Sequence, residues 1–145
     1  MLIRFNIENF LSFNRQIEFS MIAGRGRGLE NHVVKASGIN ILKSAVLYGA
    51  NASGKTNLVK AIEFSRKVIL QGIENINHLN HHFRLEHDAI NRPTIFNYEI
   101  KNGDKFYNYG FALQLNKNTV LEEWLYETGK TKEVKIFERV RNQQG

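Results

Sequence analysis

Gly49-Ala50-Asn51-Ala52-Ser53-Gly54-Lys55-Thr56 fits the pattern G-x-x-x-x-G-K-[ST]. The chemistry this spacing serves is the cradling of phosphate. Glycine lets the backbone wrap close around phosphate oxygens that a Cβ would keep away. The backbone N–H groups of residues 52–56 are expected to form an anion nest. A helix opening at Gly54 would add the positive end of its dipole. Lys55 would set an ammonium between the β- and γ-phosphates, and Thr56 would offer its hydroxyl to Mg²⁺. The expected ligands are ATP and Mg²⁺. The four fixed positions coincide by chance in roughly one chain of this length in a few hundred, given ordinary residue frequencies.

The elements around the loop follow from hydropathy. Ala45-Val46-Leu47-Tyr48 is a short apolar run, expected to be a strand buried on both faces that feeds the loop. Behind the loop, Leu58, Ile62, Ser65, Ile69 and Ile73 recur at helical steps, with Ala61 and Val68 widening the stripe. Lys60, Glu63, Arg66 and Lys67 take the other face. This predicts an amphipathic helix of about five turns ending near Gly72. Ahead of the loop, Leu2 to Glu8 alternates as a half-buried strand, residues 9–14 turn, and Ile17, Phe19 and Met21 mark a second, antiparallel strand. Residues 74–92 read as a polar connection. From Thr94 onward four strands are expected (95–101, 106–115, 119–127 and 133–140), with Asn102-Gly103-Asp104 a strong hairpin turn.

Composition bounds the rest. The chain has 145 residues, no Cys and a net charge of +6. That length supports about one domain. Without Cys there is neither a disulfide framework nor a thiolate metal site. No run approaches about 18 apolar residues, so neither a membrane span nor a membrane partner is expected. The first ten residues mix polar and apolar one by one, unlike a signal peptide, so the default address is cytoplasmic. Residues 1–75 hold ten Lys/Arg against five Asp/Glu, and residues 76–145 ten against nine. A basic first half suits a nucleotide or nucleic acid, or is simply a solvated basic surface.

Three stretches together resemble a known family. The opening Ile7-Glu8-Asn9-Phe10-Leu11-Ser12-Phe13 is similar to the I-x-N-F-x-S-F start of ABC-type ATPases in the SMC/RecF/OLD (overcoming lysogenization defect) group. The loop with Asn57 and Leu58 has that group's G-x-N-x-[SA]-G-K-[ST]-N/T-L form. Residues 111–115, Glu122-Glu123-Trp124-Leu125-Tyr126 and Phe137-Glu138-Arg139 resemble the meander of prokaryotic AAA/ABC-like ATPases linked to phage defence. The resemblance implies an α/β fold, a strand–P-loop–helix core with a flanking antiparallel meander. It implies that residues 1–145 are an N-terminal nucleotide-binding lobe, either a fragment of a longer protein or a naturally short relative. Asn51 would face the phosphates with Gly49, Ala52, Ser53, Gly54, Lys55 and Thr56, and Asn57 would lie beside the Mg²⁺ region. Phe10, Ser12 and Phe13 would lie near the base or ribose, core packing being the other reading of the two phenylalanines.

Equally informative are the family elements that do not appear. A Walker B strand, four apolar residues ending in Asp-Glu, is not found, since Val120-Leu121-Glu122-Glu123 has too short an apolar run. No L-S-G-G-Q-like signature occurs. The expectation is therefore an ATP-binding lobe that hydrolyses little alone. It would pair with a second lobe or a second copy, and serve DNA-directed work such as phage defence or repair, with DNA and a nuclease domain as partners. The alternative is a non-catalytic basic module that docks DNA or a protein. A small-molecule kinase is disfavoured, because such folds carry the loop on their first strand.

Other groups point to plainer roles. His78, His81, His82 and His87 cluster, with His78 and His82 at helical i, i+4 spacing for a metal. An Asn-rich surface loop without a Cys or an H-E-x-x-H pattern is the simpler reading. Arg25 and Arg27, between glycines, could touch phosphates or be plainly exposed. Adjacent Glu122 and Glu123 would point to opposite faces of a strand and cannot act as a pair. Trp124 and Tyr126 read as sheet packing before base stacking.

Overall fold

The computed structural model describes residues 1–24, 30–76, 80–129 and 132–141. Strands β1 (Leu2–Glu8), β2 (Ile17–Ser20), β3 (Val33–Ala36) and β4 (Ile39–Leu42) precede helix α1 (Lys55–Gln71). Strands β5 (Thr94–Asn102), β6 (Lys105–Gln114), β7 (Thr119–Thr128) and β8 (Glu133–Val140) follow it. Six of them form one antiparallel sheet in the order β2-β1-β5-β6-β7-β8. The expected N-terminal hairpin and four-strand meander are thus present, and β1 joins them by pairing with β5, Phe5 opposite Tyr98 and Ile7 opposite Phe96. Hairpin β3–β4 was not expected. It is bound to the main sheet through residues 21–23, with Met21 N–H donating to Ile3 C=O and Leu42 N–H to Met21 C=O.

Period-2 alternation gives the sheet an apolar face and a polar one. Phe5, Ile7, Phe96, Phe111 and Leu113 point to one side, where α1 covers them with Leu58, Ala61, Phe64 and Val68. The helix is turned slightly from the expected stripe: Phe64 is buried, whereas Ile69 is 45% exposed. Gly72 ends it as expected, its N–H donating to Val68 C=O. No helix among the described residues is long and apolar enough to cross a membrane.

One expected element is missing. Residues 45–48 belong to no strand, and Val46 and Tyr48 are 71% and 88% exposed. The apolar run was read as a strand buried on both faces. That state needs a neighbouring strand on each edge and a layer on each face, and among the described residues neither is supplied. Among the described residues the fold is therefore two layers, helix α1 on an antiparallel sheet. Of the expected strand–loop–helix core the helix is formed, and the strand is not.

Two tyrosines in the layer between sheet and helix tie stability to pH. Burial pushes the Tyr98 hydroxyl above its usual 10.0, and a hydrogen bond with Ser65 opposes the shift. Tyr109 is raised further, first by burial and then by donating to Glu123 Oε1 at 2.7 Å. Both favour the protonated form in the folded state. Their contribution is complete below about pH 10 and is lost as pH rises through the raised values. Denaturation midpoints should fall from about pH 9 to about pH 11, and fall less in a Tyr98→Phe, Tyr109→Phe variant. An identical fall in both proteins would show that other groups govern alkaline stability.

Candidate nucleotide site

The loop runs into α1 through left-handed backbone at Ala52 (φ 64°) and Gly54 (φ 92°). The conformation at Gly54 favours glycine, and the turn after β1 packs close to it. A Cβ would meet Ser12 Oγ at 3.4 Å and Phe13 Cε1 at 3.5 Å. The helix then starts with no side-chain cap and no acidic residue in its first turn. Its leading N–H groups and dipole therefore face no carboxylate of their own turn, the arrangement that favours an anion. Lys55 folds back over the loop. Its Nζ donates to the carbonyls of Gly49 and Ala50, each at 2.7 Å, and to Ser53 Oγ at 3.2 Å.

The turn after β1 packs directly on this loop. Asn57 Nδ2 donates to Ser12 Oγ at 2.9 Å, and Phe13 lies against Gly54. Ser12, Phe13, Gly54 and Asn57 are thus brought together from positions some forty residues apart. Asn51, Ala52, Ser53 and Thr56 are exposed, while Lys55 and Asn57 are half-buried. Phe10 is different. It is 0% exposed and packed against Phe64, Phe96 and His81, with ring centroids 5.2–5.6 Å away. The base-or-ribose role is corrected for Phe10: it has no surface to offer a ligand, and core packing is its role.

Sequence reasoning passed over Asn9. It is 1% exposed and left-handed, with φ 51°. Its Nδ2 donates to the carbonyls of Ala89 and Arg92 at 2.8 Å. Its Oδ1 accepts from Phe83 N–H at 3.2 Å, and its carbonyl accepts from Thr94 Oγ1 at 2.8 Å. Asparagine is among the few residues that tolerate this backbone and bond locally at once. Asn9 therefore clamps the turn that carries Ser12 and Phe13 to the connection before β5. Asn9→Ala should lower stability by about 2–3 kcal/mol through its buried orphaned partners, measured by urea denaturation. A loss below about 0.5 kcal/mol, the scale of a plain surface change, would contradict the clamp.

The histidines divide between core and surface. His81 stacks on Phe10 and Phe64, and the His87 side chain is fully exposed. Burial, and secondarily Arg84, lowers the His82 pKa. Among the described residues no three His, Cys, Asp or Glu are grouped to hold a metal. His78, Arg25 and Arg27 lie outside the described residues. Glu123 accepts from Tyr109 and pairs with Arg139 at 2.9 Å, so it is engaged in β7–β8 pairing. Trp124 lies across the sheet, its Nε1 donating to Asn97 Oδ1 and Asn108 Oδ1.

The residues present fit a triphosphate and its cation: a backbone loop closed around an ammonium, an uncapped helix start, and an exposed hydroxyl on Thr56. No curated protein matches the chain. A family model does, over residues 44–144, more than half of the sequence and with the loop inside it. Its description is "AAA domain, putative AbiEii toxin, Type IV TA system", and the chain belongs to this AAA-domain family of nucleotide-binding, ATPase-like modules.

Proposed function

We propose that this chain is the ATP-binding lobe of an ATPase of the ABC/SMC/OLD-like kind. One observation carries the reading: the Lys55 ammonium sits inside the loop, on the Gly49 and Ala50 carbonyls, at the uncapped start of α1. Triphosphate oxygens would replace those carbonyls as its partners. The N–H groups of residues 52–56 would donate to the same oxygens, and the Thr56 hydroxyl would help hold Mg²⁺. Bound Mg²⁺ supplies neutralisation of phosphate charge. Asn57, tied to Ser12, keeps the turn seated on the loop, and in this reading Phe13 and Ser12 would lie beside the nucleoside. Asn51 is exposed on the loop and available to the phosphates.

Water activation is assigned to no residue of this chain, because Val120-Leu121-Glu122-Glu123 lies in a meander strand. The chain should therefore bind ATP–Mg²⁺ and turn it over negligibly. Phosphate release near 1 s⁻¹, within the ordinary enzymatic range and abolished by Lys55→Ala, would overturn this. The closing partner in this reading is a second lobe or a second copy. The opening and loop motifs favour DNA-directed work, in phage defence or repair, with a nuclease as partner.

A second reading rests on the basic first half, ten Lys/Arg against five Asp/Glu. It is a basic module that docks DNA or a protein without nucleotide chemistry. Salt-dependent DNA binding that ignores both ATP and Lys55→Ala would favour it.

A further inference from the structure

On the sheet face away from α1, one row of residues crosses the strands. Asn6 of β1 lies opposite Asn97 of β5, Asn97 opposite Gly110 of β6, and Gly110 opposite Trp124 of β7. Gly110 makes the row possible. A Cβ there would stand 2.3 Å from Trp124 Cζ2, so the indole lies flat on the sheet over it. Trp124 Nε1 is fixed by Asn97 Oδ1 at 3.2 Å and Asn108 Oδ1 at 3.1 Å. Asn6, Asn97, Asn108 and Trp124, with Ile7, Glu8, Gln16 and Ile95, line a cavity of about 280 Å³. Asn6 in its floor is only 8% exposed, yet its Oδ1 accepts no hydrogen bond. A buried polar atom left so carries a cost that calls for an explanation.

The groups on offer define the ligand. Since both Oδ1 atoms serve the indole, Asn97 and Asn108 keep their amide nitrogens as donors. The Glu8 carboxylate is an acceptor in the cavity wall, and the unpaired Asn6 Oδ1, which has almost no exposed surface, would become a second one by turning its side chain toward a ligand. A cation would meet the amide nitrogens, and an anion would meet Glu8. A neutral planar ring with donors and acceptors on its edge uses both sets and can stack on the indole. Beside the cavity carboxylates outnumber cations: Glu8 lines it, and Glu18 and Glu99 both pair with Arg4. A polynucleotide backbone is thereby disfavoured. We propose that this cavity is a binding site for a nucleobase bearing an exocyclic amino group, taken as a free nucleoside, separate from the loop at the start of α1.

Trp124 is the only tryptophan in the sequence, so its emission reports the site directly. Adenosine and cytidine carry no phosphate and thus test the cavity independently of the loop. Each should change Trp124 emission saturably, with affinity at least about tenfold above uridine. Lys55→Ala should leave this unchanged, and Asn6→Leu should weaken it about tenfold or more. Glu8→Ala, a rim change, should weaken it severalfold and keeps the test open if Asn6→Leu fails to fold. No saturable response to adenosine or cytidine, a uridine response of equal affinity, or loss of the response in Lys55→Ala would overturn the proposal. So would unchanged affinity in Glu8→Ala, or saturation by N-acetylargininamide in place of the nucleosides.

Discussion

Replacing Lys55 with alanine is expected to weaken ATP–Mg²⁺ binding by about one to two orders of magnitude, measured by isothermal titration. A charge-assisted hydrogen bond is worth about 1.5–3 kcal/mol, and every 1.4 kcal/mol is tenfold in affinity. In the free chain the ammonium is satisfied by two backbone carbonyls and one hydroxyl. Part of what the phosphates offer therefore replaces contacts already made, which keeps the loss near this range. Stability should change little, because the contacts are exposed and local. Unchanged affinity in a folded Lys55→Ala protein would remove Lys55 from the site. Lys55→Arg, which keeps the charge but not the compact ammonium, should recover only part of the affinity.

Phe10→Ala should cost about 3–5 kcal/mol of stability, a large share of the roughly 5–15 kcal/mol available to a domain. Phe10 is completely buried at the junction of β1, α1 and the polar connection, where Phe64, Phe96 and His81 surround it. Removing the ring opens a cavity that three separate segments line. Phe10→Leu keeps most of the volume and should cost about 1–1.5 kcal/mol. Its ATP affinity should equal the wild type's, since the ring touches no exposed surface. Thermal denaturation of both variants checks the first point and titration of Phe10→Leu the second. A folded Phe10→Leu that loses ATP would return Phe10 to the binding site.

What the sequence revealed, and what it hid, has physical causes. The hairpins of β1–β2 and β5–β8 were readable because alternation and turn residues are local, as at Asn102-Gly103-Asp104. The pairing of β1 with β5 joins residues some ninety apart, and no local period encodes it. Hairpin β3–β4 carries a turn at Ser37 and Gly38 with φ of 45° and 95°. Both angles are those of a type I′ turn, and the short flanking runs concealed it. The run 45–48 misled for the opposite reason, since apolarity alone does not supply neighbouring strands. At the site, the G-x-x-x-x-G-K-T spacing located the loop and the helix start without the structure. The motif Ile7-Glu8-Asn9-Phe10-Leu11-Ser12-Phe13 resolves into separate tasks: Asn9 clamps, Phe10 fills the core, and Ser12 and Phe13 meet the loop. That division depends on which way each side chain leaves a left-handed turn, which spacing does not tell.

ATP is expected to bind through the backbone between Ala52 and Thr56. Amide chemical shifts during titration of isotope-labelled protein with ATP–Mg²⁺ test it most directly. The amides of Gly54, Lys55 and Thr56 should shift most and together, with those of Ser12 and Asn57 following. Saturation that leaves these amides in place, with shifts confined to another part of the chain, would contradict the claim.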